Sequence, residues 1–209
     1  MKQDLSNFYI DKSNKVAFDV IKNIADKGKI NYLTVLLCGK NGTGKTHLMV
    51  SLEQTLKDKL KIIRISSNEF IQSIKNNKKD KIYNNLDVII IEDIQFFIST
   101  LKLENQIYSA IKKLTIDKNI PIIMTVDREK QELNNLKFIS KLMQINCERN
   151  LVLEIKETLE NKTKRLIIKD FQNINNIIFT EYKIKTLLKE CSNYQELQNK
   201  LNATKILSR

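Results

Sequence analysis

The chain has 209 residues and a formal net charge of +12, and hydrophobic residues make up 42% of it. This length suits one α/β domain with a small appendage, and the apolar fraction suffices for a core. The sequence has no bilayer-spanning apolar run, no apolar signal segment at the N-terminus, and three cysteines too widely spaced for a zinc site or disulfide framework. We therefore expect a cytoplasmic protein with reduced cysteines and no membrane partner.

The positive charge permits two interpretations. Lysines concentrate at Lys75, Lys78, Lys79 and Lys81, and such a lysine-rich surface can contact the phosphates of single-stranded DNA. A lysine run is also typical of an ordinary solvated face, and a chain rich in Lys, Asn and Ile reflects an AT-rich genome. Charge alone does not decide between a nucleic-acid partner and a solvated surface.

The first predicted strand, residues 33–38, leads into a glycine-rich loop at residues 39–46 with the pattern G-x-x-x-x-G-K-[ST]. Glycines let successive N–H groups converge on phosphate oxygens, and the N-terminus of the next helix adds partial positive charge. An ordinary β–α turn is the alternative, but the strand–loop–helix context favours a nucleoside triphosphate site. The nucleotide-binding residues expected here are Asn41, Gly42, Thr43, Gly44, Lys45, Thr46 and His47.

Three of these residues have separate expected roles. Lys45 would reach the β- and γ-phosphates, and the hydroxyl of Thr46 would ligate Mg²⁺. His47 is the only histidine, which argues against histidine-based catalysis or a histidine metal cluster. It follows Thr46 directly, so it lies beside the nucleotide or contributes to helix packing.

Residues 62–65 predict a second strand, and the apolar run at 86–91 predicts a third that ends in Glu92 and Asp93. An NTPase needs carboxylates at this position, one for the metal ion and one to polarise the attacking water. We expect Glu92 to hold Mg²⁺ together with Thr46, and Asp93 to be catalytic. The alternative is a strand end at which two acids simply face solvent.

A helix is predicted over residues 103–114, a fourth strand over 120–126 and a fifth over 151–155. Asp127 follows the fourth strand, where it would orient the lytic water or cap the next helix. Because strands alternate with helical segments, the pattern predicts a parallel five-stranded sheet flanked by helices.

From residue 157 onward the pattern is helical, and we predict a small three-helix lid. Thr180 is the expected cap of the second lid helix, and residues 192–195 fit a capping box for the third. The predicted organisation is an α/β nucleotide-binding domain over residues 1–156, followed by a C-terminal α-helical lid over 157–209.

These motifs together resemble the AAA+ domain of the bacterial replication initiator family DnaA. Residues 39–48 are similar to the family's P-loop, and residues 87–96, with their Ile-Gln-Phe tail, are similar to its Walker B segment. Residues 66–70 also match, and residues 125–128 resemble its sensor 1 segment. Residues 7–14 resemble the box that lines the adenine pocket, which implies that Phe8, Ile10 and Asn14 contact the base.

The sequence departs from the family pattern where that pattern has arginines. The sensor 2 position, which holds an arginine in the family, is Gln195 here, and residues 141–146 contain no arginine finger. Arg149 is nearby but out of register. The segment at residues 70–85, where initiators have a DNA-gripping insertion, is shortened, and the metal-side acid is Glu92 where the family has Asp. The two missing arginines imply weak or partner-dependent hydrolysis, because an arginine finger contributes about 10³ to 10⁵ in rate.

The resemblance implies a protein that binds ATP or ADP with Mg²⁺ and acts in replication initiation or its control. Its partner would be an initiator or another AAA+ replication protein, with nucleotide-dependent homo- or hetero-oligomers. Full initiators continue into a helix-turn-helix domain, whereas this sequence ends at Arg209, so we expect an Hda-like regulator that does not read origin duplex. One alternative is a DnaC-like helicase loader that binds single-stranded DNA. Another is an interaction protein stabilised by nucleotide, without useful turnover.

Overall fold

A five-stranded, fully parallel sheet is the centre of the computed structural model, which describes residues 3–76, 82–83, 85–145 and 147–207. The strand order is β2-β3-β4-β1-β5, which leaves β2 and β5 at the edges. This arrangement confirms the predicted parallel α/β sheet. The strands are β1 (Thr34–Cys38), β2 (Ile62–Ser66), β3 (Val88–Glu92), β4 (Ile122–Val126) and β5 (Asn150–Glu154).

Helices cover both faces of the sheet, and more helices follow it in the chain. Those that flank the sheet are α1 (Lys15–Lys27), α2 (Lys45–Leu56), α3 (Ser67–Lys75), α4 (Leu101–Lys112) and α5 (Lys137–Met143). The later ones are α6 (Asn161–Asn175), α7 (Glu181–Glu190) and α8 (Tyr194–Leu207). None of the helices in the described ranges combines the length and the apolar character that crossing a bilayer requires.

The alternation of side chains along the strands divides the core into two layers. In β1, Val35 and Leu37 pack with α1 and α2 on one face of the sheet. Leu36 points to the other face, where it joins the cluster that includes residues of α3, α4 and α5. Because successive side chains of a strand point to opposite faces, a strand covered on both sides is apolar throughout. All five residues of β1 are buried for this reason.

Helices α6, α7 and α8 form the lid around a hydrophobic cluster of their own, which contains Phe171, Leu187 and Leu197. The predicted cap of α7 is confirmed, since the hydroxyl of Thr180 accepts a hydrogen bond from the N–H of Lys183 at 3.2 Å. The domain boundary between residues 156 and 157 stays a prediction.

The N-terminal segment ties the lid to the sheet domain. The hydroxyl of Tyr9 donates to Oδ2 of Asp170 in α6 at 3.0 Å. Oδ2 of Asp11 accepts from the N–H of Glu160 at 2.8 Å, at the start of the same helix. Glu160 is the N-cap residue of α6, but its own side chain makes no cap hydrogen bond. The buried carboxylate of Asp11 therefore satisfies a helix-terminal N–H from a distant part of the chain.

The capping box predicted for the last helix is wrong by one residue. Helix α8 begins at Tyr194, and Oδ1 of Asn193 accepts from the N–H of Glu196 at 3.0 Å. Oε2 of Glu196 in turn accepts from the N–H of Ser192 at 2.6 Å. Because the helix begins at Tyr194, its third residue is Glu196 and not Gln195, whose amide donates instead to Asn199.

Other differences concern the ends of elements. The fourth strand begins at Ile122 and not at Ile120, because Pro121 between them has no N–H for the ladder. The helix predicted over 103–114 begins earlier, at Leu101, and the chain continues after it as a π-helical turn, Lys113–Asp117.

Most of the lysine-rich run that was predicted to contact single-stranded DNA lies outside the described residues. Lys78, Lys79 and Lys81 lie outside the described residues, as does part of the shortened segment at 70–85. The expected single-strand surface therefore stays a prediction.

Candidate nucleotide-binding site

The glycine-rich loop follows β1 at the carboxyl edge of the sheet and leads directly into α2. Gly42 and Gly44 have φ values of +78° and +103°, which residues with a Cβ rarely adopt. A Cβ on Gly44 would lie 2.9 Å from the ring of Phe8. A Cβ on Gly42 would lie 2.4 Å from Cβ of Gln195. The loop is therefore a narrow backbone cradle of the kind that accommodates phosphate groups.

Lys45 is almost fully buried beneath this cradle. Its ammonium donates to the carbonyl oxygens of Gly39 at 2.6 Å and Lys40 at 2.9 Å. Burial lowers the pKa of Lys45, and the negative charges of Asp127 and Asp93 act in the opposite direction. The sequence-predicted phosphate ligand thus lies inside the loop, at the amino end of α2.

Thr46 and Glu92 meet although 46 positions separate them in sequence. The hydroxyl of Thr46 donates to Oε2 of Glu92 at 2.9 Å. β3 is two strands away from β1, and both strands end at the same edge of the sheet, which explains the meeting. A hydroxyl and a carboxylate are oxygen ligands suited to Mg²⁺, so this pair fits the predicted metal position. No larger group of His, Cys, Asp and Glu side chains suited to a metal occurs in the described ranges.

Glu92 also has a cationic partner that sequence reasoning missed. Arg64 of β2 forms an ion pair with Oε1 of Glu92 and a second one with Oε2 of Glu53 in α2, the latter at 2.7 Å. Burial lowers the pKa of Arg64, but hydrogen bonds to the two carboxylates outweigh it and raise the pKa above its usual value. The sequence offered one sign of this ion pair, which was the presence of a charged residue inside the otherwise apolar run at 62–65.

The two predicted catalytic acids are linked by Gln95. Asp93 has a left-handed φ of +60°, and its N–H donates to the hydroxyl of Thr125 at 3.0 Å. The side chain of Gln95 donates to Oδ1 of Asp93 at 3.4 Å, and it accepts from the N–H of Asp127 at 3.0 Å. Gln95 therefore connects the ends of β3 and β4, and sequence reasoning assigned it no role.

A cavity of about 230 Å³ opens between the loop, the N-terminal segment and the lid. The ring of Phe8 forms part of its wall, stacked on Phe18 with centroids 5.6 Å apart and edge-on to His47 at 5.2 Å. A second opening of about 450 Å³ lies on the other side of the loop and shares Asn41 and Gln195 with the first. A larger groove of about 830 Å³ lies near β5 and has no residue of the glycine-rich loop in its wall.

Most of the predicted binding residues line the 230 Å³ cavity, and some do not. Ile10 is half exposed and lies outside the wall, while its neighbour Tyr9 belongs to it. Asp127 lines the 450 Å³ opening. Glu92 is hydrogen-bonded to Thr46, which belongs to the wall of the 230 Å³ cavity, but Glu92 is not itself part of that wall. The predicted residues in the wall are Phe8, Asn14, Asn41, Gly42, Thr43, Gly44, Lys45, Thr46, His47 and Asp93. Wall residues that the sequence did not single out include Gln3, Asn7, Tyr9, Leu159 and Tyr194.

The lid contacts the glycine-rich loop through Gln195, at the sensor 2 position where the family has an arginine. Gln195 lines both openings and lies against Gly42, and its amide donates to Oδ1 of Asn199 at 3.0 Å.

Arg149 lies far from this position. It precedes β5, and its guanidinium donates at 3.2 Å to Oδ1 of Asn119, which precedes β4. Both residues lie at the amino ends of strands, at the edge of the sheet opposite to the glycine-rich loop.

Comparison with known proteins supports the interpretation of these motifs. The initiator DnaA of Buchnera aphidicola subsp. Baizongia pistaciae is 34% identical over 208 residues, which cover 94% of this chain and 44% of that protein. The chain thus spans about half the length of the curated relatives it matches.

Solved structures agree with this result. A replication initiator DnaA bound to AMPPCP and single-stranded DNA superposes with a TM-score of 0.78 at 25% identity, over 98% of this chain and 65% of that one. A DnaC helicase loader shares the fold, with a TM-score of 0.58 at 17% identity over 74% of this chain and 97% of that one. The model of the family described as the bacterial DnaA ATPase domain matches residues 1–147. The chain belongs to the DnaA ATPase-domain family, with the AAA+ fold that the sequence predicted.

Proposed function

We propose that this protein binds ATP or ADP with Mg²⁺ and acts in the initiation of DNA replication or in its control, in the cytoplasm. The observation that carries the proposal is the meeting of Thr46 with Glu92 beside the buried ammonium of Lys45. The resemblance to an initiator bound to an ATP analogue supports the same ligand class. The nucleotide would lie between the domain of residues 1–156 and the lid of residues 157–209.

Each part of the site has a separate task in this proposal. The N–H groups of the loop and the ammonium of Lys45 bind the phosphates. The hydroxyl of Thr46 and the carboxylate of Glu92 hold Mg²⁺, which neutralises phosphate charge when it is bound. Asp93 polarises the attacking water, and Asp127 helps to orient it. The ring of Phe8 packs beside the base.

Hydrolysis by this site is weak, or it depends on a partner. Gln195 lies against Gly42, where a guanidinium would act on the developing phosphate charge, and a neutral amide stabilises that charge less. An arginine supplied in trans accelerates such reactions by about 10³ to 10⁵. Another AAA+ subunit, such as an initiator, is therefore the expected partner.

The direct test is ATP turnover by the purified chain, measured alone and mixed with the initiator of the same cell. We expect turnover to rise in the mixture, because the partner supplies a cation. Lys45→Ala is the control and should abolish binding of ATP and ADP. Nucleotide binding that survives this substitution would contradict the assignment of the site.

A helicase-loader-like activity on single-stranded DNA is the second candidate. It is favoured by the single-stranded DNA bound to the matching initiator and by the fold shared with the DnaC loader. The affinity for an oligonucleotide should then fall with salt, with a logarithmic slope of about −0.7 per neutralised phosphate. An affinity that does not change with salt would remove this candidate.

The third candidate is an interaction protein that nucleotide only stabilises. Gln195 in place of an arginine favours it. In that case ATP raises the unfolding temperature of the protein, by an amount that its affinity and concentration determine, but no phosphate is released in any mixture. Phosphate release that increases with protein concentration would exclude it.

A further inference from the structure

Arg64 is a charged residue within a strand of the sheet. Its side chain is 30% exposed and lies at the edge strand β2, in register with Ile90 of β3. Its neighbours along the strand, Ile63 and Ile65, pack into the core. An arginine in such a strand needs partners for its charge, and Glu53 and Glu92 are those partners.

Both carboxylate oxygens of Glu92 are engaged as a result. Oε2 accepts from the hydroxyl of Thr46 at 2.9 Å, and Oε1 accepts from the guanidinium of Arg64. The side chain of Glu92 is only 11% exposed, so solvent screens this pair weakly. A permanent cation of the protein therefore already offsets part of the charge of the acid that would attract a divalent cation.

We propose that Arg64 competes with Mg²⁺ for the carboxylate of Glu92 and makes nucleotide binding by this chain only weakly dependent on Mg²⁺. This inference rests on the proposed nucleotide site and deepens it. Glu92 remains the metal-side acid, but the metal that it holds adds little to the affinity for nucleotide. ATP and ADP then bind in the absence of Mg²⁺ almost as well as in its presence.

The physical reason is competition for one carboxylate. Mg²⁺ gives up its water reluctantly and is usually held by one or two carboxylates together with the phosphates of the substrate. A guanidinium bonded to Glu92 reduces the negative potential there and repels a second cation. Glu53 shares the guanidinium with Glu92, since Nε of Arg64 donates to Oε2 of Glu53 at 2.7 Å.

The test is equilibrium binding of a fluorescent ATP analogue, in buffer with saturating Mg²⁺ and in buffer with EDTA. The measured quantity is the affinity with Mg²⁺ divided by the affinity with EDTA. For the unchanged protein we expect a ratio near one. Arg64→Gln should raise the ratio about tenfold, which corresponds to about 1.4 kcal/mol, because Glu92 becomes available to the metal. The change should appear mainly in the Mg²⁺ buffer, so the EDTA value reports whether the variant is folded.

Glu53→Gln is the matched variant with the opposite expectation. It removes the competing partner of Arg64 and leaves Glu92 as its only carboxylate, so the ratio should stay at or below that of the unchanged protein. A ratio that rises in Glu53→Gln would overturn the inference even if Arg64→Gln did not fold.

The remaining outcomes separate this inference from the proposed function. A folded Arg64→Gln variant whose ratio stays near one would overturn the inference. A strong Mg²⁺ requirement in the unchanged protein would overturn it as well and leave the proposed function intact. Absence of binding in both buffers would overturn both.

Discussion

Replacing Gly42 by alanine tests whether the lid rests on the phosphate loop. The new Cβ would lie 2.4 Å from Cβ of Gln195 and 3.0 Å from Oδ1 of Asn193, both of which belong to the lid region. The contact involves the first atom of a side chain, so rotation about side-chain bonds cannot relieve it. Either the lid moves away from the loop or the backbone of the loop shifts.

The expected cost has two parts. The left-handed backbone at φ +78° costs an alanine about 1–2 kcal/mol. The overlap with Gln195 adds about 1–3 kcal/mol, the usual range for an overpacked contact. We therefore expect Gly42→Ala to lower the free energy of unfolding by about 2–5 kcal/mol.

Gly28→Ala is the matched control. Gly28 ends α1 with a φ of +59°, but its added Cβ would meet only Cδ of Lys59, at an ordinary 3.5 Å. The control should lose about 1–2 kcal/mol, from backbone strain alone. Urea unfolding followed by circular dichroism measures both variants, and equal losses would refute the contact between lid and loop.

Two further predictions concern hydrogen bonds at helix ends. Burial raises the pKa of Asp11, but hydrogen bonds from the N–H groups of Ser13 and Glu160 outweigh burial, so the pKa is lowered overall. The carboxylate therefore stabilises the fold above a pH of about 4, and this contribution is lost as the pH falls through the lowered pKa. Asp11→Asn, which cannot accept equally from Glu160, should cost about 1–3 kcal/mol at neutral pH, and its deficit should shrink in acid; a deficit that does not change with pH in urea unfolding would contradict this. Asn193→Ala should lower the free energy of unfolding by about 1 kcal/mol, because the N–H of Glu196 loses its cap, and Ser192→Ala should lower it less. A larger loss for Ser192→Ala in thermal unfolding would favour Ser192, the cap predicted from sequence.

The parts of the fold that local patterns encode were predicted well. The apolar runs that became β1 and β3 were recognisable because both of their faces are buried. The loop at residues 39–46 was recognisable because its backbone requires glycine at fixed positions. The acids that follow β3 and β4 were placed at one edge because parallel strands end together. Strand order and exact strand ends depend on packing between distant segments, which a local pattern does not contain.

The parts that escaped prediction are pairings between distant residues. Arg64 was interpreted only as a member of a strand, since nothing near it in sequence indicates that Glu92 would be its partner. Tyr9 and Ile10 are adjacent, and only the position of Asp170, 161 residues away, determines that Tyr9 contacts the lid. The cap of the last helix depended on which of two neighbouring side chains, at 195 and 196, reaches back to the preceding turn.

The contacts made by the N-terminal segment also affect when the site can form. Tyr9 and Asp11 leave the ribosome before their partners Asp170 and Glu160, which follow 161 and 149 positions later. Loops of this length close slowly, because chain entropy is lost before the contact is gained. A growing chain therefore contains the phosphate loop long before it has the wall that the lid supplies. Leu159, Tyr194 and Gln195 are therefore the last residues of the cavity wall to be synthesised.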